Sequence, residues 1–355
     1  MTRHVALGAV VFVAALVLLV GLASLPSSSP TQGTVSGSPV AAASTNPGPS
    51  GSSPSASSAS ASASAGASGP GAGSSNGAPP SGAAGSSSGV ADAVLVGAGD
   101  IADCALPGDE ATAKLLDGID GTVFAAGDTA YQSGSPADFR DCYSPTWGRL
   151  LARTYPVPGN HEWRTKDLAG YLGYFGTRAA PDGKTWYSFE LGAWHVVMLD
   201  SECTKVGGCA ADSAQGRWLK ADLAASSATC TVAIWHRPRW SSGLHGDDGA
   251  VAPLWQILYD TGADLVLSGH DHDYERFAPQ DPSGHEDRTR GIREFVVGTG
   301  GAALRPFRPR SAANSELRIG GVYGVIKLTL KAGSYDWQFL PTEGVVSDAG
   351  SGPCH

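Results

Sequence analysis

Apolar runs alternate with amphipathic segments along residues 90–355 and predict an α/β domain. Runs such as AVLVGAG and ADLVLSG are nearly continuous in apolar residues, which is typical of strands buried on both faces. The predicted strands are 93–99, 122–126, 154–157, 185–191, 194–199, 230–235, 264–268 and 293–297, and the predicted helices are 110–118, 137–152, 213–225 and 251–260. A hairpin is predicted over Tyr323 to Leu340, turning at Ala332-Gly333. We therefore expect sheets sandwiched between helices.

The first 89 residues differ from this domain in composition. Residues 1–25 contain an uncharged apolar stretch that is long enough to span a bilayer, which indicates a signal peptide or an uncleaved membrane anchor. Gly21 and Ala23 suit a cleavage site, but the apolar run exceeds the usual secretory core of about 7 to 15 residues. Residues 26–89 are almost wholly Ser, Ala, Gly and Pro without charge and predict a disordered linker, either a passive spacer, which we favour, or an envelope tether. We expect the protein to be secreted or membrane-anchored outside the cell.

The net charge of the protein limits the kinds of partner that it can bind. The 355 residues include 33 acidic and 24 basic side chains, a formal net charge of −9. This acidic excess argues against nucleic acid as a partner, because nucleic-acid binding requires a basic face. A membrane or cell-envelope tether is expected through residues 1–25 if that stretch is not cleaved.

Five short motifs follow successive predicted strands and carry the residues of a two-metal site. They are GDIAD (99–103), GDTAY (127–131), GNHE (159–162), AIWH (233–236) and GHDHDYER (269–276). Ligands bind beyond the carboxyl ends of strands in α/β sheets, so the side chains of these motifs are expected to meet there. Asp, Asn, His and Tyr are ligands that suit Fe, Zn or Mn. A single Gly-Asp would indicate only a turn, but five motifs in this order predict a metal centre.

Six cysteines in an exported chain predict three disulfides, although six cysteines allow fifteen pairings. The pairing we favour joins Cys104 to Cys142, Cys203 to Cys209 and Cys230 to Cys354. The first bond would connect the loops after the first two motifs, and the second would close a small loop. The third follows by elimination.

The motif set resembles the calcineurin-like metallophosphoesterase superfamily, and most closely its purple acid phosphatase branch, over residues 100–276. The wider superfamily has Asp-x-His in its first motif, whereas this chain has Ala102 in place of the His, and Tyr131 supplies the replacement ligand as in the purple enzymes. Ala233 stands where valine is usual, at a packing position. The resemblance implies a four-layer α/β/β/α sandwich of two mixed β-sheets flanked by helices, in a catalytic domain over residues 90–355.

The resemblance also implies two metal ions and their ligands. Asp100, Asp128, Tyr131 and His272 would bind one metal, and Asp128, Asn160, His236 and His270 the other. A carboxylate has two oxygens and can bridge two cations, which suits Asp128. Tyr131 would bind as a phenolate, and its high unperturbed pKa favours Fe(III) at that position. Fe, Zn or Mn would occupy the second position. His270 and His272 lie two residues apart, so binding different metals requires the chain to turn between them.

Candidate groups for acid catalysis and substrate binding surround these ligands. The resemblance places His161 facing the substrate, as a phosphate donor or general acid, and assigns His245 to an outer histidine position. Arg164 and Arg239 lie in the same loops and are candidates for binding phosphate oxygens, against the alternative of ordinary surface cations. The segments 243–251 and 301–318 are the expected pocket walls.

Other polar residues near the motifs have less specific interpretations. His195 lies within a predicted strand and is expected to be structural, and neither Asp200 nor Glu202 matches a ligand position. The charged residues that flank the last two histidines either orient metal-bound imidazoles or form loop ion pairs. These residues are Asp271, Asp273, Glu275 and Arg276.

The function predicted from these residues is hydrolysis of small phosphate esters through attack by a metal-bound hydroxide. An acid-phosphatase-like monoesterase is the leading hypothesis. A phosphodiesterase and a nucleotidase remain alternatives on the same site, as does a binding module that holds metal or phosphate without turnover. The complete ligand set favours an enzyme.

Overall fold

The computed structural model describes residues 91–355 of the chain. The predicted leader (1–25) and linker (26–89) lie outside the described residues. Within residues 91–355, none of the helices combines the length and the apolar character that crossing a membrane requires.

The described residues form thirteen strands and five α-helical segments. The strands are β1 Ala93–Ala98, β2 Thr122–Ala126, β3 Thr154–Val157, β4 Tyr187–Leu191, β5 Trp194–Met198, β6 Cys230–Ile234, β7 Leu265–Ser268, β8 Tyr274–Phe277, β9 Arg293–Val297, β10 Ser315–Ile319, β11 Gly324–Lys331, β12 Ser334–Pro341 and β13 Asp348–Pro353. The helices are α1 Gly108–Asp117, α2 Pro136–Asp138, α3 Ala169–Phe175, α4 Ala214–Ala225 and α5 Ala252–Asp260. The predicted strands and hairpin match to within two residues.

Two mixed sheets form the centre of the fold. The first has the strand order β13-β12-β11-β1-β2-β3, and the second has the order β10-β8-β9-β7-β6-β5-β4. In the first sheet β1, β2 and β3 run parallel and β1 pairs antiparallel with β11. In the second sheet β5, β6, β7 and β9 run parallel, while β4 and β8 add antiparallel pairs. The carboxyl ends of the parallel strands therefore lie at the same edge within each sheet.

Neighbouring residues on the central strands pack against different layers, since successive side chains of a strand point to opposite faces. Val196 and Ile234 belong to the core that also contains the buried residues of the first sheet. Val197 and Ala233, one position away, pack instead in a second core with Trp255 of α5. Helix α1 packs against the first sheet and contributes Ala113 and Leu116 to its core. The predicted four-layer α/β/β/α architecture is confirmed.

The segment 137–152, predicted as one helix, is not a continuous α-helix. Helix α2 is a single turn, followed by a π-helical segment over Phe139–Tyr143 and a 3-10 helix over Trp147–Arg153. Pro145 separates the last two segments because its nitrogen has no hydrogen to donate to the preceding turn. Strands β8, β10 and β13 were not predicted.

The structure contains three disulfides in the favoured pairing: Cys104–Cys142, Cys203–Cys209 and Cys230–Cys354. The last bond joins the start of β6 to the segment after β13 and closes a loop with a sequence separation of 124 residues. A free cysteine is not found among the described residues.

Candidate metal centre

The predicted ligands lie at the carboxyl ends of five parallel strands. Asp100, Asp128, His236 and His270 each stand two residues beyond the end of β1, β2, β6 and β7, and Asn160 stands three residues beyond β3. Tyr131 and His272 follow on the same two loops as Asp128 and His270. The two sheets thus supply one cluster from both sides of their interface.

Three of these side chains form a first group around the Tyr131 hydroxyl. Its oxygen lies 2.8 Å from Asp100 Oδ1 and 3.2 Å from His272 Nε2. His272 Nε2 is itself 3.2 Å from Asp100 Oδ1. The group is almost wholly buried, with Asp100 at 0% and Tyr131 at 5% exposure. Its three ligand-type atoms therefore converge on one small volume.

A second group forms around His236. Its Nε2 lies 3.2 Å from Asp128 Oδ2 and 3.1 Å from His270 Nδ1. Asp128 also joins the two groups, because its Oδ2 is 3.3 Å from the Tyr131 hydroxyl. The carboxylate of Asp128 is therefore placed as a bridging ligand would be.

Asn160 gives an independent test of whether these residues suit a metal. Its Oδ1 is buried and has no hydrogen-bond partner among the described residues. Buried polar atoms normally have a partner, and an exception requires an explanation. A cation bound by Asn160 and the neighbouring carboxylates and imidazoles would satisfy this oxygen, so the donor set fits metal ions.

Backbone carbonyls select the tautomers of two histidines. His236 Nδ1 lies 2.9 Å from the Ala126 carbonyl oxygen, and His272 Nδ1 lies 2.6 Å from that of Ala303. A carbonyl oxygen only accepts, so each Nδ1 donates and each neutral ring turns the lone pair of Nε2 towards the carboxylates. This arrangement is usual for metal-binding histidines.

The electrostatics of the cluster favour positive charge. Burial raises the pKa of Tyr131 well above 10, and the nearby Asp100 and Asp128 raise it further. Burial alone would lower the pKa of His236, but Asp128 and Asp100 outweigh it and raise that pKa to about 10. The cluster thus stabilises a cation and resists another anion, so Tyr131 needs a strongly charged metal to bind as a phenolate.

Three ligand positions have a left-handed backbone, which is uncommon for residues other than glycine. The φ angles are 58° for Asp100, 47° for Asp128 and 71° for His270. The turn at His270 gives His270 and His272 separate directions, as the sequence required. Gly159 also has a steric role, since a Cβ there would lie 2.3 Å from Asp128 Oδ1. Backbone strain of this kind is concentrated at functional sites.

Glu162 is a supporting residue to which the sequence analysis assigned no role. Its Oε2 accepts from the backbone nitrogens of Asp128 (2.9 Å) and Gly159 (2.7 Å). Its Oε1 accepts from the Thr129 nitrogen and hydroxyl and from the Ala130 nitrogen. One fully buried carboxylate therefore ties the second motif to the third. In the sequence, only its position beside His161 in the GNHE motif could have indicated this supporting role.

His161 lies beside the cluster with one ring nitrogen engaged. Its Nδ1 donates to the Gln132 carbonyl oxygen at 2.8 Å, and its backbone nitrogen donates to Asp128 Oδ1 at 2.7 Å. Its Nε2 is 3.8 Å from Asp128 Oδ2. Arg164 contacts the same Gln132 carbonyl from an exposed position.

His245 reaches the cluster through His270, whereas Arg239 does not reach it. The rings of His245 and His270 stack with centroids 4.2 Å apart and an angle of 25°. The Arg239 guanidinium lies over the Trp240 ring, 3.7 Å from its centroid, and none of its hydrogen bonds or ion pairs involves the predicted ligands. The structure therefore brings His161 and His245 to the centre and leaves Arg239 outside it.

Two arginines other than Arg239 contact the candidate centre. Arg237 Nη1 lies 3.1 Å from His270 Nε2, and Arg305 Nη1 contacts His245 Nε2. Arg237 directly follows His236, a predicted ligand, and Arg305 lies in the predicted pocket wall. Apart from these positions, nothing in the sequence analysis indicated that either arginine would contact the candidate site.

Two of the acidic residues around the last two histidines, Asp271 and Glu275, accept hydrogen bonds from loop backbone, which is neither the orientation of an imidazole nor an ion pair. Asp271 accepts from the backbone nitrogens of His245 (2.8 Å) and Gly246 (3.0 Å), and Glu275 accepts from the Ser242 nitrogen at 2.7 Å. They therefore position the loop that carries His245. Asp273 is buried with both carboxyl oxygens unpartnered among residues 91–355, and its pKa is raised to about 9 by burial and by Asp271.

The remaining polar residues behave as structural groups. Arg276 forms ion pairs with Asp348 and Glu316. His195 lies between Glu190 Oε1 and Asp222 Oδ2, each 2.8 Å from one ring nitrogen. Asp200 accepts from the Thr185 hydroxyl at 2.6 Å, away from the predicted ligands. Glu202 forms an ion pair with Arg237.

Two mixed sheets that hold a cluster of carboxylate, imidazole and phenol groups at one edge define the metallophosphoesterase class of fold. The chain belongs to the calcineurin-like phosphoesterase family, whose model matches residues 89–274. The resemblance inferred from the motifs is thereby confirmed.

Relatives of known name point to the same branch. The chain is 32% identical over 206 residues to purple acid phosphatase 21 of Arabidopsis thaliana, covering 49% of this chain and 45% of the relative. It is 28% identical over 212 residues to human acid phosphatase type 7, covering 50% of this chain and 47% of the relative. The matches therefore span less than half the length of each relative.

Solved structures share the fold. A purple acid phosphatase from yellow lupin seeds has a TM-score of 0.58 at 20% identity, covering 74% of this chain and 53% of that one. GAP50, the anchor in the inner membrane complex of Plasmodium, has a TM-score of 0.58 at 16% identity, covering 74% of this chain and 89% of that one. At these identities the likeness concerns the fold alone.

Proposed function

We propose that this protein is a two-metal phosphatase that hydrolyses phosphate monoesters outside the cytoplasm. The observation that carries the proposal is the pair of adjoining ligand groups that share Asp128, whose Oδ2 lies 3.2 Å from His236 Nε2 and 3.3 Å from the Tyr131 hydroxyl. The names of the relatives, purple acid phosphatase and acid phosphatase, support the same activity.

Seven residues would hold the metals, in the two sets described for the first and second groups. They are Asp100, Asp128, Tyr131, Asn160, His236, His270 and His272. Two metals bound there supply Lewis acidity for phosphoryl oxygens and lower the pKa of water so that it becomes a nucleophile. The chain itself contributes orientation, since its ligands are held by backbone carbonyls and by Glu162.

His161 is the residue proposed to transfer a proton to the leaving group. Because its Nδ1 donates to the Gln132 carbonyl, Nε2 is the nitrogen left for a substrate oxygen. When protonated, the ring donates from Nε2. His245 is proposed to bind the substrate beside it, on the ring of His270. Positioned acid catalysis of this kind contributes roughly 10² to 10⁴ in rate.

Metal content and turnover of 4-nitrophenyl phosphate test the proposal together. We expect Asp128→Ala to lose both metals and all activity, because it removes the shared ligand. We expect His161→Ala to keep its metals and lose about 10² to 10⁴ in kcat. Asp212→Ala, in an exposed loop, is the matched control and is expected to behave as wild type. Full activity in the Asp128 variant would contradict the assignment.

Fe(III) is proposed beside Tyr131, with Fe, Zn or Mn at the other position. The phenol is buried between two carboxylates, so only a highly charged cation would make phenolate binding favourable. Metal analysis of protein purified without chelators, together with a visible spectrum, tests this. A fully active, colourless protein that contains only zinc would reject the ferric assignment and leave the hydrolase proposal intact.

Export is proposed from the apolar stretch in residues 1–25 and from the three disulfides, which persist in oxidising compartments. Cell fractionation and the amino-terminal sequence of the recovered protein test it. An amino terminus that lies after residue 20 would indicate a cleaved signal peptide. A membrane-bound protein that still begins at residue 1 would indicate an uncleaved anchor. Recovery of the intact chain from the cytoplasm would contradict export.

A further inference from the structure

Two guanidinium groups flank the stacked imidazoles of His245 and His270. Arg237 Nη1 lies 3.1 Å from His270 Nε2, and Arg305 Nη1 contacts His245 Nε2. The two rings are nearly parallel, at 25°, with centroids 4.2 Å apart. Each ring of the stack therefore has one arginine at the same type of nitrogen, directly beside the second ligand group.

Arg237 is held in place and remains accessible. Its Nε and Nη2 donate to the two carboxylate oxygens of Glu202, and its Nη1 is 3.8 Å from Asp248 Oδ2. The side chain of Glu202 is 10% exposed, whereas that of Arg237 is 26% exposed. Glu202 directly precedes the loop that the Cys203–Cys209 disulfide closes. The guanidinium is thus oriented before any ligand arrives, which reduces the entropy lost on binding an anion.

Arg305 has no carboxylate partner within ion-pair distance among residues 91–355. Its backbone nitrogen donates to the carbonyl oxygen of His272 at 3.1 Å, so its position is linked to the ligand loop. A cavity of about 340 Å³ adjoins it, lined by Leu304, Arg305, Pro306, Gly320 and Gly321. In a protein of net charge −9, a guanidinium that has no carboxylate partner within the described part of the chain is available to an incoming anion.

We propose that Arg237 and Arg305 bind the unesterified oxygens of the substrate phosphate and select monoester dianions over diesters. This inference rests on the proposed function and names the residues that set its specificity. Near neutral pH a phosphate monoester carries close to two negative charges, because its second pKa is about 6. A diester carries one charge and has one fewer unesterified oxygen. Each guanidinium therefore gains more from a monoester, both in Coulomb attraction and in hydrogen bonds.

Glu202 is a positioning residue in this arrangement. It contacts the guanidinium of Arg237 and none of the predicted metal ligands. Removing its charge frees Arg237 to adopt other rotamers without removing the cation. We therefore expect Glu202→Gln to weaken monoester binding less than the loss of Arg237 does.

The test compares two substrates with the same leaving group, 4-nitrophenyl phosphate and bis(4-nitrophenyl) phosphate, on the metal-loaded protein. For Arg237→Gln and for Arg305→Gln, kcat/KM for the monoester is expected to fall about 10- to 100-fold, the value of one charge-assisted contact. For the diester the expected fall is threefold or less, on the order of one weak contact. Arg217→Gln, an exposed arginine on α4, is the matched control and should change neither value.

Binding of orthophosphate, measured by calorimetry, gives a second readout that does not need turnover. Its dissociation constant should rise about 10-fold or more in either arginine variant and less in Glu202→Gln. Metal content should equal that of wild type in all three.

The outcomes separate the two proposals. Equal losses on both esters, or unchanged phosphate affinity in both arginine variants, would overturn the selectivity inference while leaving the hydrolase intact. A metal-loaded wild type that turns over neither ester would refute the proposed function. In that case orthophosphate binding still tests the arginine pair by itself.

Discussion

Replacing Glu162 with glutamine tests how the candidate metal centre is held together. The carboxylate accepts five hydrogen bonds from the second and third motifs, two at Oε2 and three at Oε1. Glutamine has nearly the same shape, but its amide nitrogen donates and cannot accept. Whichever way the amide turns, at least two buried backbone N–H groups lose their acceptor.

The expected cost follows from those two donors. A buried donor without a partner costs about 1–3 kcal/mol, so Glu162→Gln is expected to lose about 2–6 kcal/mol of unfolding free energy. Domains are stable by roughly 5–15 kcal/mol, so the loss is a large fraction of the total. The donors include the nitrogens of Asp128 and Gly159. The carboxylate of Asp128, the proposed bridging ligand, should therefore shift, and retention of the proposed metals should fall as well.

Urea unfolding with the disulfides intact, followed by tryptophan fluorescence, measures this change. Burial and the nearby Asp128 raise the pKa of Glu162 to about 7, so the comparison belongs at pH 8, where the carboxylate form prevails. Glu343→Gln, at an exposed position, is the control and is expected to stay within about 0.5 kcal/mol of wild type. A Glu162→Gln protein with unchanged stability and full metal content would refute the supporting role.

Three further outcomes are expected. Tyr131→Phe should abolish any visible charge-transfer band and weaken one metal while the other stays bound; a retained band, measured after metal loading, would contradict the Tyr131 ligand. Burial alone lowers the pKa of His195, but its two carboxylate partners outweigh this and raise it. That stabilisation is full below the unfolded pKa of about 6.5 and is lost as pH rises through the folded pKa, so His195→Gln should cost about 1–3 kcal/mol at pH 6 and less at pH 9. Replacing Cys230 and Cys354 with serine should cost about 2–5 kcal/mol in thermal or urea unfolding, because their bond closes a long loop, and an unchanged midpoint would argue against this.

The parts of the fold that local patterns predict are those whose environment is uniform along the segment. Buried parallel strands such as β2 and β7 have apolar neighbours on both faces, so their sequences are continuously apolar. The hairpin of β11 and β12 alternates because one face meets the core. Strand β13, with the sequence DAGSGP, has no such pattern. It pairs with β12 through its backbone, and that pairing depends on a neighbour that no local window contains.

The candidate site divides in the same way. A metal ligand must have a particular chemistry and in this fold follows a strand, so residue type and position alone make Asp100, Asn160 and His236 candidate ligands. A supporting or substrate-binding residue only needs a side chain that reaches the site, so its position in the sequence is less restricted than that of a ligand. Arg237 and Arg239 follow the same ligand, two residues apart, and the sequence analysis selected the one whose guanidinium lies on Trp240. Which of the two arginines contacts the site depends on the carboxylate that holds it in the folded chain. For Arg237 that carboxylate is Glu202, which lies 35 residues away in the sequence.

The last motif joins the metal centre to the proposed specificity loop. In GHDHDYER the histidines and acids alternate, and the chain turns at His270, so the two sets of side chains have different partners. His270 and His272 meet the ligand groups, while Asp271 and Glu275 hold the backbone of the loop that carries His245. The same eight residues therefore contain two of the proposed metal ligands and position the loop of His245, whose Nε2 is contacted by Arg305. Substitutions in the loop itself can change which phosphate ester binds without disturbing the ligands, whereas a change in this motif would alter both at once.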